Sequence, residues 1–116
     1  MSINENPIEI RLTPRFQKDL KILAKRYRSI RQDLQPLLRT LQTGQTPGDR
    51  IQGFNFPVFK VRLKNSDIKK GKSGGYRVIY YLQTQTTIVL ITLYSKTDQT
   101  DITDRAIAEA ISQLDF

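Results

Sequence analysis

The chain has 116 residues, enough for one domain with a single hydrophobic core but not for two. Its 19 Lys and Arg against 11 Asp and Glu give a net charge of +8, which points to a nucleic acid, an anionic membrane surface or an acidic protein as a partner. Because the chain contains neither Cys nor His, disulfides, the usual zinc sites and the serine and cysteine triads are excluded.

The first predicted elements are a short strand and an amphipathic helix. Residues 8–12 alternate weakly and are β-branched, which indicates a strand. Thr13 followed by Pro14 is typical of a helix start, with the threonine as the N-cap. Apolar residues then recur along one helical face, at spacings of four, three and four: Phe16, Leu20, Leu23 and Tyr27.

A second helix is predicted from the leucines at positions 34, 37, 38 and 41. Asp33 is its expected N-cap and Gly44 its expected C-terminal glycine. Pro36 would then lie in the first turn, where a missing N–H costs little. Because few residues separate the two helices, we expect them to form an antiparallel hairpin.

The predicted hairpin is strongly basic. Between Arg11 and Arg39 there are nine positive and two negative residues, which is more charge than solubility requires. One interpretation is a solvated surface. The other is a second surface that contacts phosphates or an acidic partner.

Three strands are predicted after a loop at residues 45–53 that contains a Pro-Gly turn signal. Residues 57–64 alternate apolar and cationic side chains, and residues 75–82 form the next strand. Residues 87–94 are apolar on both faces, so this strand should be central and covered on both sides. A final helix carries the last apolar series: Ile102, Ala106, Ala110, Ile111 and Leu114.

This layout predicts an α+β fold, with a small antiparallel β-sheet, an N-terminal helical hairpin and a C-terminal helix. Residues 1–116 are expected to form a single domain.

No apolar run approaches the roughly 20 residues of a membrane span, and the polar start does not resemble a signal peptide. The lack of Cys fits a reducing compartment, so we expect a cytoplasmic protein without membrane contact.

The candidate site is a set of cations on the predicted sheet. Lys60, Arg62 and Lys64 share one face of their strand, where successive side chains lie only about 7 Å apart. Protection of an edge strand explains charge on one strand. However, Arg77 opens the next strand and Lys96 follows the last, and cations that converge from adjacent strands indicate a phosphate site. The connecting loop adds three more: Lys69, Lys70 and Lys72.

Two other motifs are rejected. Gly71-Lys72-Ser73 resembles the end of a phosphate-binding loop, but Ser66 replaces the required glycine and a strand follows instead of a helix. The glycines before that strand are interpreted as a flexible entry to it. Asp98, Asp101 and Asp104 recur at a spacing of three, which favours helix capping and first-turn charges over a metal site.

Three segments of the chain resemble the RelE/HigB branch of the RelE/ParE toxin superfamily. They are FKVRLK at residues 59–64, GKSGGYRVIYY at 71–81 and LYSK at 93–96. The resemblance implies a RelE-like fold and a type II toxin that forms a hetero-oligomer with a cognate antitoxin. It also implies an mRNA interferase, which is a ribosome-dependent endoribonuclease that cleaves mRNA without a metal or other cofactor.

The resemblance also implies a catalytic set by position: Lys60, Arg62, Lys72, Arg77 and Lys96. We expect further contacts with RNA from a second set: Lys64, Lys69, Lys70 and Tyr94. The chain departs from the RelE pattern at Thr97, where an Arg is usual, and at Thr103, where a Tyr is usual. Tyr94 is the suggested substitute for that Tyr.

The chemistry expected of such a site is electrostatic. RNA supplies its own nucleophile, the 2′-hydroxyl, so the enzyme needs a base, an acid and charge stabilisation. A lysine among other cations has a lowered pKa and can serve as the base, while Arg62 and Arg77 would clamp the phosphate. The residues leave base and acid unassigned among the lysines, and no carboxylate partner is expected. Two other interpretations stay open: a gyrase inhibitor of the ParE kind, and a non-catalytic RNA-binding domain.

Overall fold

The computed structural model describes residues 7–68 and 74–114, which form an α+β fold. The strands of this region are β1 (Glu9–Leu12), β2 (Asp49–Ile51), β3 (Val58–Leu63), β4 (Tyr76–Leu82) and β5 (Thr87–Ser95). The helices are α1 (Pro14–Arg26), α2 (Ile30–Gln42) and α3 (Asp104–Ser112). The N-terminal helical pair and the C-terminal helix confirm the predicted layout. No helix among the described residues is long and apolar enough to cross a membrane.

The strands form one sheet in the order β1-β5-β4-β3-β2. Antiparallel pairing of β3 with β4 and of β4 with β5 confirms the predicted meander. Two features differ from the prediction. β1 pairs with β5 in parallel, which makes the sheet mixed, and β2 adds an edge strand inside the predicted loop. The parallel pair is possible because the helical pair forms the long connection that it requires. β2 has only three residues, too few for a readable alternation.

β5 is the central strand, as predicted. It lies between β1 and β4 and is buried from Ile88 to Ser95. On one face of the sheet, α1 and α2 cover a core that includes Phe16 and Leu41. On the other face, α3 covers a second core through Ile107 and Ala110. The two layers explain why β5 is apolar on both faces.

α1 begins at its predicted N-cap, Thr13. The Thr13 Oγ1 accepts a hydrogen bond from the Phe16 N–H at 3.0 Å and donates one to the Ile91 carbonyl oxygen at 2.6 Å. The threonine is fully buried. One hydroxyl therefore caps the helix and fastens its beginning to the central strand.

Replacement of Thr13 by Val should lower the free energy of unfolding by about 1–3 kcal/mol, because it removes both the cap and a buried hydrogen bond. The control is Thr103→Val, which removes the α3 cap, a bond from the Ala106 N–H at 3.1 Å, at an exposed position. That change should cost about 1 kcal/mol. Urea unfolding measures both, and equal losses would show that the bond to Ile91 contributes nothing.

α2 begins one turn earlier than predicted, so the prediction that Asp33 is its N-cap is wrong. Ser29 is the N-cap residue, and its N–H donates to the Asp67 carboxylate at 2.8 Å. The Asp33 carboxylate instead accepts hydrogen bonds from the N–H and the hydroxyl of Ser66, at 3.0 and 3.1 Å. Both carboxylates thus connect α2 with the segment that follows β3, a tertiary contact that the local pattern does not contain.

The earlier start also moves Pro36 well inside α2 instead of into its first turn. The other end of the helix agrees with prediction. Gly44 has a φ of 91°, and its N–H donates to the Leu41 carbonyl oxygen at 3.0 Å. Gly44 is therefore the expected C-terminal glycine.

The cations of α1 include exposed lysines and an arginine that contacts other residues. Lys18, Lys21 and Lys25 are exposed. Arg26 donates to Asp98 at 2.8 Å, and its guanidinium lies 4.9 Å from the centre of the Tyr27 ring. Exposed lysines fit a solvated surface as well as a surface that contacts phosphates or an acidic partner. Both interpretations of this surface therefore stay predictions.

Candidate functional site

A cleft of about 190 Å³ opens at the end of the sheet where β3, β4 and β5 meet. We call it the cationic cleft. Among the described residues, its lining consists of one carboxylate and four cations: Asp49, Lys60, Arg62, Arg77 and Lys96. Four of the five residues in the predicted catalytic set therefore come together in space.

Strand register brings these side chains to one face. Arg62 lies opposite Arg77 in the β3–β4 pair, and Tyr94 lies opposite Arg77 in the β4–β5 pair. Asp49 lies opposite Lys60 in the β2–β3 pair. Residues directly opposite in antiparallel strands have Cβ atoms about 5 Å apart and share a face of the sheet. Alternation along β3 places Lys60 and Arg62 on that same face.

Gly75 lies next to β4, between backbone atoms of Leu63 and Lys96. A Cβ atom at Gly75 would overlap the carbonyl oxygen of Leu63, so only glycine allows β3 and β4 to approach this closely. The Gly75 carbonyl oxygen accepts a hydrogen bond from the Lys96 N–H at 2.9 Å. Gly74 and Gly75 are both buried. This junction is close-packed, in contrast to the flexible entry that the sequence suggested.

Arg77 is the most enclosed cation of the cleft, with 6% of its surface exposed. Its guanidinium donates one hydrogen bond, to the Tyr76 carbonyl oxygen at 3.2 Å, and forms no ion pair with any described residue. A buried guanidinium opposite another one is unfavourable unless an anion neutralises the pair. The geometry of Arg62 and Arg77 therefore favours binding of an anion such as phosphate.

The expectation that the site has no carboxylate partner is wrong. Asp101 Oδ1 lies 3.4 Å from Lys60 Nζ and 3.4 Å from the Tyr94 hydroxyl. The Ile102 N–H donates to the same oxygen at 2.8 Å. This backbone N–H, together with the charge of Lys60, holds the pKa of Asp101 below its ordinary value despite an opposing effect of burial. Asp101 is thus an ionised acceptor that orients Lys60.

The other two aspartates of the predicted capping series have separate roles. Asp98 pairs with Arg26 instead of contacting α3. Asp104 lies in the first turn of α3, as predicted, and Thr103 is the N-cap. Chain spacing alone did not reveal that Asp98 and Asp101 lie on a loop that turns back over cations of other elements.

Tyr94 contributes its hydroxyl to the site and not an open ring face, because only 5% of its surface is exposed. Burial raises the pKa of Tyr94, and the charge of Asp101 adds to this, while Arg77 opposes it. The hydroxyl therefore keeps its proton at neutral pH and donates to Asp101. Lys96 Nζ donates to the Thr100 carbonyl oxygen at 2.8 Å, which holds this lysine at the cleft.

Of the remaining predicted cations, the structure describes Lys64. Lys64 follows the last residue of β3 and is exposed. Lys69, Lys70 and Lys72 lie outside the described residues.

Asp49 is the cleft residue that the sequence reasoning missed. The only signal was its place directly after the Pro47-Gly48 turn. A Cβ atom at Gly48, whose φ is 96°, would overlap the Lys60 carbonyl oxygen, so the turn lies against β3. The Tyr80 hydroxyl donates to the Pro47 carbonyl oxygen at 2.6 Å. These contacts fix the position at which β2 begins, and with it Asp49.

An α+β domain with these elements and this cluster of cations has the architecture of a type II toxin of the RelE/ParE superfamily. The family described as "ParE toxin of type II toxin-antitoxin system, parDE" matches residues 10–100, and the chain belongs to this family. Membership confirms the resemblance to the RelE/ParE superfamily, though not to its RelE/HigB branch, and implies a cognate antitoxin as partner. A comparison with curated proteins gave no match.

Proposed function

We propose that this toxin is a ribosome-dependent endoribonuclease that cleaves mRNA. The observation that carries the proposal is the pair formed by Arg62 and the buried Arg77, which has no acidic partner among the described residues. Each guanidinium presents N–H donors in a planar fork that matches phosphate oxygens. A phosphodiester held by both would place its developing negative charge where the two positive charges stabilise it.

The other cleft residues have complementary roles in this proposal. Lys60 and Lys96 are the candidate proton donors to the leaving oxygen. RNA brings its own nucleophile, and side-chain cations supply the charge stabilisation, so we propose no metal or other cofactor. Lys72 completes the catalytic set. We also propose further contacts with RNA from Lys64, which follows β3, from Lys69 and Lys70, and from the Tyr94 hydroxyl.

The proposed partners follow from this activity. The substrate is mRNA on a translating ribosome, which places the toxin in the cytoplasm. The cognate antitoxin is proposed to form a hetero-oligomer with the toxin, and exposed cations give an acidic segment of it a surface to approach.

Inhibition of gyrase is the second candidate, and membership of the ParE toxin family favours it. An inhibitor of this kind acts through protein contacts and requires no phosphate site. The concentration of four cations in one cleft supports the nuclease instead.

Expression of the toxin without its antitoxin distinguishes the candidates. A nuclease should arrest growth and deplete intact translated mRNA, while the supercoiling of plasmid DNA stays normal. Loss of supercoiling or DNA damage with intact mRNA would support gyrase as the target and contradict the nuclease. Binding to ribosomes that weakens steeply with salt, without mRNA cleavage, would instead support a non-catalytic RNA-binding domain.

A further inference from the structure

In the part of the chain that the structure describes, one carboxylate lines the cationic cleft, that of Asp49, and the proposed function leaves its role open. Asp49 starts β2 directly opposite Lys60 and lines the cleft together with Arg62 and Arg77. Its side chain is exposed, and it makes no hydrogen bond or ion pair within the part of the chain that the structure describes. The Asp49 carboxylate oxygens are therefore able to accept a hydrogen bond or a proton. They lie next to the position where the arginines would hold a phosphate.

Asp101, the other carboxylate near the site, is less suited to accept a proton. It already accepts hydrogen bonds from Lys60, Tyr94 and the Ile102 N–H. These donors stabilise its charged form and weaken it as a base. Asp101 also does not line the cleft. Asp49 is thus better suited than Asp101, because its two carboxylate oxygens make no hydrogen bond to a described residue and can reach a group bound in the cleft.

We propose that Asp49 is the general base of the cleavage reaction, an inference that rests on the proposed nuclease function. Asp49 takes the proton from the 2′-hydroxyl of the RNA, and the 2′-oxygen forms a bond to phosphorus. The bond between phosphorus and the 5′-oxygen breaks, which leaves a 2′,3′-cyclic phosphate. The leaving 5′-oxygen receives a proton from Lys60 or Lys96. Each proton lost is matched to an acceptor, and no oxidant or metal is required.

This assignment also separates the roles of base and acid. A carboxylate is ionised at neutral pH and ready to accept a proton, whereas an ammonium group is ready to donate one. The lysines therefore need no neutral form before the reaction. The contacts of Pro47 and Gly48 with Tyr80 and β3 fix the backbone position from which the Asp49 side chain extends, as a positioned base requires.

Single-turnover cleavage of mRNA on programmed ribosomes tests the proposal. Asp49→Asn should cleave roughly 100- to 10,000-fold more slowly than the unaltered protein, with ribosome binding changed less than threefold. Asp49→Glu restores a carboxylate and should recover part of the rate. The control is Glu109→Gln on the exposed side of α3, which should cleave normally.

A second substrate distinguishes a base from an acid. Sulfur in place of the bridging 5′-oxygen leaves readily without a proton, so it should rescue variants that lack the acid but not Asp49→Asn. Cleavage by Asp49→Asn within threefold of the unaltered protein, its rescue by sulfur, or an equal loss of ribosome binding would each overturn the assignment. If the unaltered protein cleaves nothing, the proposed function itself fails, a result distinct from any of these.

Discussion

Replacement of Arg77 by Met should slow mRNA cleavage by roughly 100- to 10,000-fold and abolish growth arrest. Arg77 is the buried cation at the centre of the cleft, and Arg62 lies opposite it. Met fills much of the same volume but provides no donor for a phosphate oxygen. Arg77→Lys should also be strongly impaired, because an ammonium group lacks the planar fork of a guanidinium.

Arg77→Met should leave the protein at least as stable as the unaltered protein. The guanidinium makes a single hydrogen bond to the Tyr76 carbonyl oxygen and no ion pair among the described residues. Replacement of the guanidinium removes a buried charge from the folded state. It also removes the repulsion between that charge and Arg62. We expect the free energy of unfolding to stay the same or to rise by about 1 kcal/mol.

Arg50→Met is the matched control for Arg77. Arg50 lies opposite Phe59 in the β2–β3 pair, on the other face of the sheet from Asp49, and it is exposed. Its replacement should leave cleavage nearly unchanged. Loss of activity in both variants, or loss of stability in Arg77→Met, would indicate a structural effect instead of a catalytic one.

Replacement of Gly75 by Ala should damage both folding and activity. The added methyl group would overlap the Leu63 carbonyl oxygen, a backbone atom that cannot rotate away. Separation of β3 from β4 at this point should cost about 1–3 kcal/mol or more. It should also displace Arg62 and Arg77, and a shift of about 1 Å in a catalytic group lowers rates by roughly 100-fold.

Gly44→Ala is the control for the glycine substitution. Gly44 has a φ of 91°, and the nearest atom to an added Cβ is a side-chain atom of Ile8 at 4.0 Å. The change should therefore cost only the strain of a left-handed residue, about 1–2 kcal/mol, and spare cleavage. Thermal unfolding and the ribosome assay measure both variants. Normal cleavage by Gly75→Ala would show that the closed junction does not hold the cleft.

Features with a local cause could be predicted from the sequence. The Thr13-Pro14 cap and the Gly44 stop each depend on neighbouring residues, and the two apolar faces of β5 follow from its nearly continuous run of apolar residues. The cations of the cleft were also predictable, because their positions follow from local patterns in the sequence. Alternation along β3 and the order of the meander bring Lys60, Arg62, Arg77 and Lys96 to one end of the sheet.

Features that depend on distant contacts could not be predicted in this way. Asp33 has a good sequence position for an N-cap, but its hydrogen bonds to Ser66 depend on how α2 packs against the chain after β3. Asp101 reaches Lys60 only because the loop before α3 folds back. Asp49 lies on a three-residue strand whose partner is set by the Pro47-Gly48 turn, and so short a strand leaves no pattern.

Incubation of the purified toxin with ribosomes programmed with a defined mRNA tests the central claim most directly. We expect cleavage of the mRNA in the decoding site only when ribosomes are present. The 5′ fragment should end in a 2′,3′-cyclic phosphate, and a 2′-deoxy nucleotide at the cleavage position should block the reaction. Intact mRNA on toxin-bound ribosomes, or efficient cleavage next to a 2′-deoxy nucleotide, would contradict the proposed ribosome-dependent cleavage through the 2′-hydroxyl.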